Sequence, residues 1–138
     1  SSSKPLVEVE ESLEGVRVLV VDDSPDILQL IDLWLKMAKA EVKLVSCGSD
    51  ALKELPSYHP DILLSDIGMP GMDGYELIQR VRKESEPEVR NVRAVALTAY
   101  AKDEERTKAL RAGFQMHISK PISHAQLVSA VAALVHSS

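Results

Sequence analysis

With 138 residues the chain has room for one domain and hardly two, and its 45% hydrophobic content is ordinary for a packed core. A net charge of −5 without a basic cluster argues against nucleic-acid binding, and a single cysteine, Cys47, excludes an internal disulfide and is compatible with a reducing cytosol. No apolar run is long enough to cross a bilayer, no signal-peptide pattern opens the sequence, and no internal repeat is found.

Residues 1–15 carry four serines, a proline and four acidic residues and read as a solvated tail or an interdomain linker. Residues 16–21 are a β-branched apolar run, the first strand, and it ends in Asp22-Asp23. Ser24-Pro25 supplies an N-cap with proline at the first helical position, so a helix is expected from 25 to about 39, with no glycine to stop it. A second strand follows at 42–46. Gly48-Ser49 then turns into a helix that Pro56 is expected to break after Leu55.

Ile62-Leu63-Leu64 leads into Ser65-Asp66-Ile67-Gly68-Met69-Pro70, a short run suited to a strand buried on both faces and closed by a loop of glycine and proline. Asp73 with Glu76 has the capping-box spacing, and Leu77, Ile78 and Val81 give the following helix its apolar side. Residues 83–91 are charged, contain Pro87 and read as a loop. The fourth strand, 92–97, ends at Thr98-Ala99-Tyr100. A polar helix at 103–112 stops at Gly113, and a fifth strand at 114–118 ends at Ser119-Lys120-Pro121. Ser123 and Gln126 cap a last helix ending near Val135, with Ile122 and Leu127 placed as a hydrophobic staple.

Five strands thus alternate with five helices, which calls for an α/β fold: a parallel sheet with helices on both faces and right-handed crossovers. Ligands of such sheets bind outside the carboxyl ends of the strands. Asp22 and Asp23, Asp66, Thr98 and Lys120 all fall at such ends. Three carboxylates converging within roughly 5 Å repel by about 3 kcal/mol per pair at an effective dielectric of 20. Lys120 offsets one charge, and oxygen-only ligands suit Mg²⁺ for the rest. A metal, an ammonium and a hydroxyl form a phosphoryl-binding set, with Asp66 the carboxylate best placed as nucleophile and the Gly68 carbonyl available as a further ligand. A pure helix-capping role for Asp22 or Asp23 is the alternative. No glycine-rich nucleotide loop is present.

The set Asp22-Asp23, Asp66 in D-I-G-M-P-G-M-D-G, Thr98 in A-L-T-A-Y-A and Lys120-Pro121 resembles a response-regulator receiver domain of two-component signalling, over residues 16–136. The resemblance implies a flavodoxin-like, doubly wound sheet in the order 2-1-3-4-5. It implies that Asp66 accepts phosphate from a phosphohistidine on a histidine kinase or phosphotransfer protein. Asp23, Asp66 and the Gly68 carbonyl would hold Mg²⁺ (or Mn²⁺) directly, with Asp22 acting through a metal-bound water. Lys120 would pair with the phosphate beside a cis bond to Pro121. Thr98 would move toward the phosphate and so couple the site to the face built by the 103–112 helix, the fifth strand and the last helix. Such a domain is a signalling module that catalyses only phosphorylation and dephosphorylation of its own aspartate.

His117 stands where many family members carry a switch tyrosine or phenylalanine, and Tyr100 lies two past Thr98, where a side chain can affect water access. A surface histidine and a loop-packing tyrosine are the plain alternatives. Trp34 reads as core. His59, His124 and His136 lie in no phosphodonor motif. The wording A-L-T-A-Y-A with F-Q-M-H-I-S-K-P-I resembles receivers of hybrid histidine kinases, which would place the chain in the cytoplasm or in the cytoplasmic part of a membrane-bound kinase. Two other readings remain: a haloacid-dehalogenase-like phosphatase, disfavoured because no D-x-D follows the first strand, and a receiver-like interaction module with vestigial phosphorylation.

The first helix carries an unusually wide apolar arc. Ile27, Leu30, Ile31, Trp34 and Leu35 share a face assigned to the sheet, while Leu28, Leu33 and Met37 widen it. Leu28 is expected to be exposed beside the acids and, with Pro121, to dock the histidine donor.

Overall fold

The structure, a computed structural model, describes residues 12–99 and 102–136. Its elements are β1 (Arg17–Val21), α1 (Pro25–Met37), β2 (Glu41–Val45), α2 (Gly48–Tyr58), β3 (Ile62–Asp66), α3 (Gly74–Val81), α4 (Pro87–Arg90), β4 (Arg93–Thr98), α5 (Asp103–Ala112), β5 (Met116–Ser119) and α6 (His124–Val135). The five strands form one all-parallel sheet in the order β2-β1-β3-β4-β5, as the family resemblance implies.

Strand side chains alternate between the two faces, so the apolar runs of the central strands feed two separate cores. Val18, Val20, Leu64, Val95 and Leu97 point to the face covered by α1 and α6, where they meet Ile31, Leu35, Leu127 and Val131. Leu19, Val21, Leu63, Ala94 and Ala96 point to the other, where α2, α3 and α5 bring Ala51, Leu55, Leu77, Ile78 and Ala109. β3 is buried along its whole length because helices cover both sides of it. Each large side chain buried this way contributes about 1.5–3 kcal/mol.

Several expectations need correction. Leu13, in the segment read as tail, is fully buried in the α1/α6 core, and its N–H donates to the Ala38 carbonyl at 2.7 Å. Pro56 does not break α2: it sits in the last turn, where it forgoes a single backbone bond, and the chain leaves the helix only at His59, in the left-handed region at φ 52°. Residues 83–91 are not wholly loop. Pro87 starts the one-turn helix α4, since its fixed φ suits a first helical position, and the helices among the described residues number six rather than five. At the end of α1, Lys39 takes the positive φ, 75°, that a glycine usually supplies. The fifth strand starts at Met116, two residues later than expected, because Phe114 is buried in the core beneath α5.

The wide arc of α1 is shared between the sheet and its neighbour α6, whose His124 ring lies 5.7 Å from that of Trp34. Trp34 is only partly buried against this core, and so is Leu28, which was expected to be exposed. Leu30, assigned to the sheet, instead joins Leu33 and Met37 on the outer side, at 38%, 55% and 57% exposure. The helix is therefore rotated about its axis relative to the expected placement, with Ile31 and Leu35 as its innermost line.

Candidate functional site

β1, β3, β4 and β5 lie side by side and run in one direction, so their carboxyl ends open on one rim of the sheet. The register sets Asp66 opposite Leu97 and Thr98 opposite Ser119, which carries the chain into Lys120. The loop after β3 is fixed by the backbone. Ile67 N–H donates to the Leu97 carbonyl at 3.1 Å, and Gly74 N–H donates to the Ile67 carbonyl at 2.9 Å. Gly74 must lack a side chain there: a Cβ would collide with the Asp66 carbonyl oxygen and stand 2.8 Å from Ile67 Cα. Asp73 caps α3 by accepting from Glu76 N–H at 2.9 Å, but Glu76 turns to Arg80 rather than closing the capping box.

Asp22 is fully buried. Its Oδ1 accepts from Ser24 N–H at 2.9 Å, and its Oδ2 receives the Lys120 ammonium at 3.2 Å. Ser24 meanwhile caps α1 by accepting from Ile27 N–H. The same ammonium reaches Asp66 Oδ1 at 3.1 Å, so one cation is shared by two acids whose strands are neighbours. Asp66 is nearly buried, whereas Asp23 is exposed. Asp22, Asp23 and Asp66 each offer an oxygen within 4.8 Å of the others. The cleft over Asp66 and Asp23 is lined also by Gly68, Thr98, Glu105 and Lys120, with Ile67 and Ala99 beside them. Thr98 is buried at the end of β4, and its carbonyl accepts from Lys120 N–H at 2.7 Å. The Lys120–Pro121 bond is cis.

Burial is the main influence on the Asp22 carboxyl and raises its pKa above the ordinary 3.8. Asp66 adds to the rise, while the Ser24 N–H and Lys120 oppose it. Burial alone would lower the Lys120 ammonium, but Asp22 and Asp66 outweigh it and leave the pKa raised. Two acids and one ammonium leave net negative charge before Asp23 is counted. A hard divalent cation fits the all-oxygen donor set of Asp22, Asp23 and Asp66.

A folded-state pKa above the unfolded one means that Asp22 favours the fold when protonated. That contribution is complete below about pH 3.8 and is lost as pH rises through the folded pKa. In chelator, Asp22→Asn is therefore expected to melt a few degrees above the wild type at neutral pH, with the gap closing toward pH 4. Added Mg²⁺ should shrink the difference by stabilising the wild type through mass action. Thermal melts across pH in chelator check this, and a variant that melts lower at pH 7 would show the buried carboxylate to be a net support.

The expected site residues Asp22, Asp23, Asp66, Gly68, Thr98 and Lys120 converge. Others do not. His117, half-buried on β5, lines a groove with Gln126 and Ser129 of α6 and is not among the residues lining the cleft over Asp66. Tyr100 lies outside the described residues. Pro121 is exposed next to Lys120. Glu105 was not foreseen. Three acids open α5, all suited to the helix dipole, and no sequence signal separates Glu105 from Asp103 and Glu104.

A family model for the response regulator receiver domain matches residues 18–132. An uncharacterised 14.6 kDa protein of Leptolyngbya boryana is 40% identical over 121 residues, covering 88% of this chain and 91% of that protein. The sensor histidine kinase GacS of Pseudomonas protegens is 39% identical over 127 residues, which is 90% of this chain but 14% of the kinase's own length. Among solved structures, the receiver domain of sensor histidine kinase PA1611 from Pseudomonas aeruginosa superposes with a TM-score of 0.81 at 29% identity, covering 89% of this chain and 99% of that one. It has a magnesium ion coordinated in its active site cleft.

Proposed function

This chain belongs to the response-regulator receiver domain family, and from that premise we propose that Asp66 is its phosphoacceptor, taking a phosphoryl group from a phosphohistidine in a Mg²⁺-dependent reaction. The observation that carries the reading is the shared Lys120 ammonium, 3.1 Å from Asp66 and 3.2 Å from Asp22 beside a third carboxylate. Asp66 attacks phosphorus, the phosphorus–nitrogen bond of the donor breaks, and the electron pair leaves with the imidazole. Lys120 pairs with a phosphoryl oxygen, and the Thr98 hydroxyl donates to another after a shift of its loop. Asp23, Asp66 and the Gly68 carbonyl would hold Mg²⁺ (or Mn²⁺) directly, with Asp22 acting through water; the bound cation would neutralise charge on the transferring group. Dephosphorylation returns the same carboxylate by attack of water. The chain transforms no other substrate on this reading.

The donor is a histidine kinase or phosphotransfer protein, and the setting is the cytoplasm or the cytoplasmic part of a membrane-bound hybrid kinase. None of the described helices is long and apolar enough to cross a membrane. The test is incubation with acetyl phosphate or a phosphohistidine donor plus Mg²⁺. One hydroxylamine-sensitive phosphate per chain is expected, without turnover of generic phosphate esters. Turnover of such esters would favour a phosphatase, and absence of any uptake a vestigial module.

The docking surface proposed for the donor runs from Pro121 past Leu28 along the exposed Leu30 and Leu33 of α1. Leu30 is the clean probe, because surface substitutions change stability by about 0.5 kcal/mol or less. Leu30→Ala is expected to slow transfer from the cognate protein donor severalfold while leaving uptake from acetyl phosphate unchanged. Equal rates from the protein donor would move the docking surface elsewhere.

A further inference from the structure

Glu105 belongs to the first turn of α5, yet it borders the cleft that holds Asp66, Thr98 and Lys120. It does not lie free in solvent. The Tyr75 hydroxyl, from the first turn of α3, donates to Glu105 Oε1 at 2.8 Å. The Lys108 ammonium, one turn further along α5, sits over the Tyr75 ring at 4.4 Å from its centroid rather than against the carboxylate. Among the described residues, no cation comes within ion-pairing distance of Glu105. Burial raises the Tyr75 phenol to about 12, and Glu105 adds to the rise, so the tyrosine is a proton donor at any physiological pH. Gly68, which also lines this cleft, has open space where a side chain would stand. Glu105 is thus a carboxylate without an ion-pair partner among the described residues, lining a cleft that no side chain narrows at Gly68.

Resting on the phosphoacceptor reading, we propose that Glu105, fixed over the cleft by Tyr75, is a specificity-determining residue that discriminates against small anionic phosphodonors by charge. A free acyl phosphate entering the cleft brings its whole charge past this carboxylate. A protein donor brings its phosphoryl on an imidazole and has a docking surface to offset the repulsion. The discrimination therefore scales with donor charge and weakens with salt, because like charges interact through a screened Coulomb potential.

The experiment measures phosphate incorporation against donor concentration at pH 7, in low and high salt. Acetyl phosphate serves as a dianionic donor and phosphoramidate as a monoanionic one. Glu105→Gln retains an acceptor for Tyr75 and removes the charge. Its half-saturating acetyl phosphate concentration is expected to fall about threefold to tenfold, with a smaller fall for phosphoramidate and little difference between variant and wild type in 1 M salt. Tyr75→Phe, which frees the carboxylate to turn outward, should shift in the same direction by less. Glu104→Gln, the same loss of charge one residue away and outside the cleft lining, should match the wild type. Glu105→Gln curves identical to wild type for both donors at low salt would overturn the proposal. So would a change equal for both donors and persistent in 1 M salt, which would mark a structural role. A wild-type chain that takes up no phosphate at all would sink the phosphoacceptor reading, and this inference with it.

Discussion

Asp66→Asn is expected to reduce phosphate incorporation from any donor by at least about a hundredfold, to background, while the fold is kept. The amide is a poor nucleophile and the site loses one of its three cation-facing charges. The substitution conserves volume at a position nearly sealed from solvent between β3 and its loop, so no cavity is opened. Lys120 retains Asp22 at 3.2 Å as a partner, so the ammonium is not stranded. Mass spectrometry of the acid-labile adduct measures the result directly. Wild-type uptake by Asp66→Asn would transfer the role of nucleophile to Asp22 or Asp23.

The second large effect is far from the chemistry. Arg82, the residue just past α3, sends its guanidinium into the seam between α4 and the α5–β5 turn. Nε and Nη2 donate to the Gly113 carbonyl at 3.0 and 2.7 Å, and Nη2 also donates to Gln115 Oε1 at 3.2 Å. Nη1 donates to the Arg90 carbonyl at 2.8 Å and to the Val92 carbonyl. Among the described residues its hydrogen-bond partners are carbonyl and amide oxygens rather than a carboxylate, and burial lowers its pKa. Arg82→Ala leaves three backbone carbonyls without their donor and should cost about 2–4 kcal/mol. That corresponds to a fall of roughly 10 °C in melting temperature. Arg82→Lys should recover little, because a single ammonium cannot span three acceptors as a planar fork does. Denaturant melts check both variants; a loss below about 1 kcal/mol for Arg82→Ala would mean that water replaces the guanidinium.

The two cases differ in how far the sequence announces them. Asp22, Asp23, Asp66, Thr98 and Lys120 could be read in advance because each ends an apolar run. A parallel sheet delivers all such ends to one rim, so a local pattern becomes a three-dimensional position. The capping residues Ser24, Asp73 and Ser123 were legible for the same reason: their chemistry is complete within four residues. Arg82 was not, since its partners lie 8 to 33 residues away and two of them are carbonyls of the segment read as featureless loop and of the turn after α5. Leu30 and Leu28 exchanged expected exposures because periodicity fixes the apolar arc of a helix but not which neighbour covers it, and α6 enters the packing from the far end of the chain. Pro56 misled because a proline's cost depends on how many turns follow it.

The ammonium that holds the site together comes from 98 residues beyond one of its acids and 54 beyond the other. All three acids precede α3, whereas the hydroxyl closes β4 and the ammonium follows β5. During synthesis from the amino end, β2, β1 and β3 can pair before Lys120 is made, and their acids then have neither the ammonium nor the Thr98 hydroxyl beside them. The crevice is therefore an unfinished anion trap in reverse, repelling until the last strand arrives. A chain divided between α3 and β4 would yield two pieces of complementary charge, each lacking what the other carries, and their reassembly would become stronger as salt is lowered.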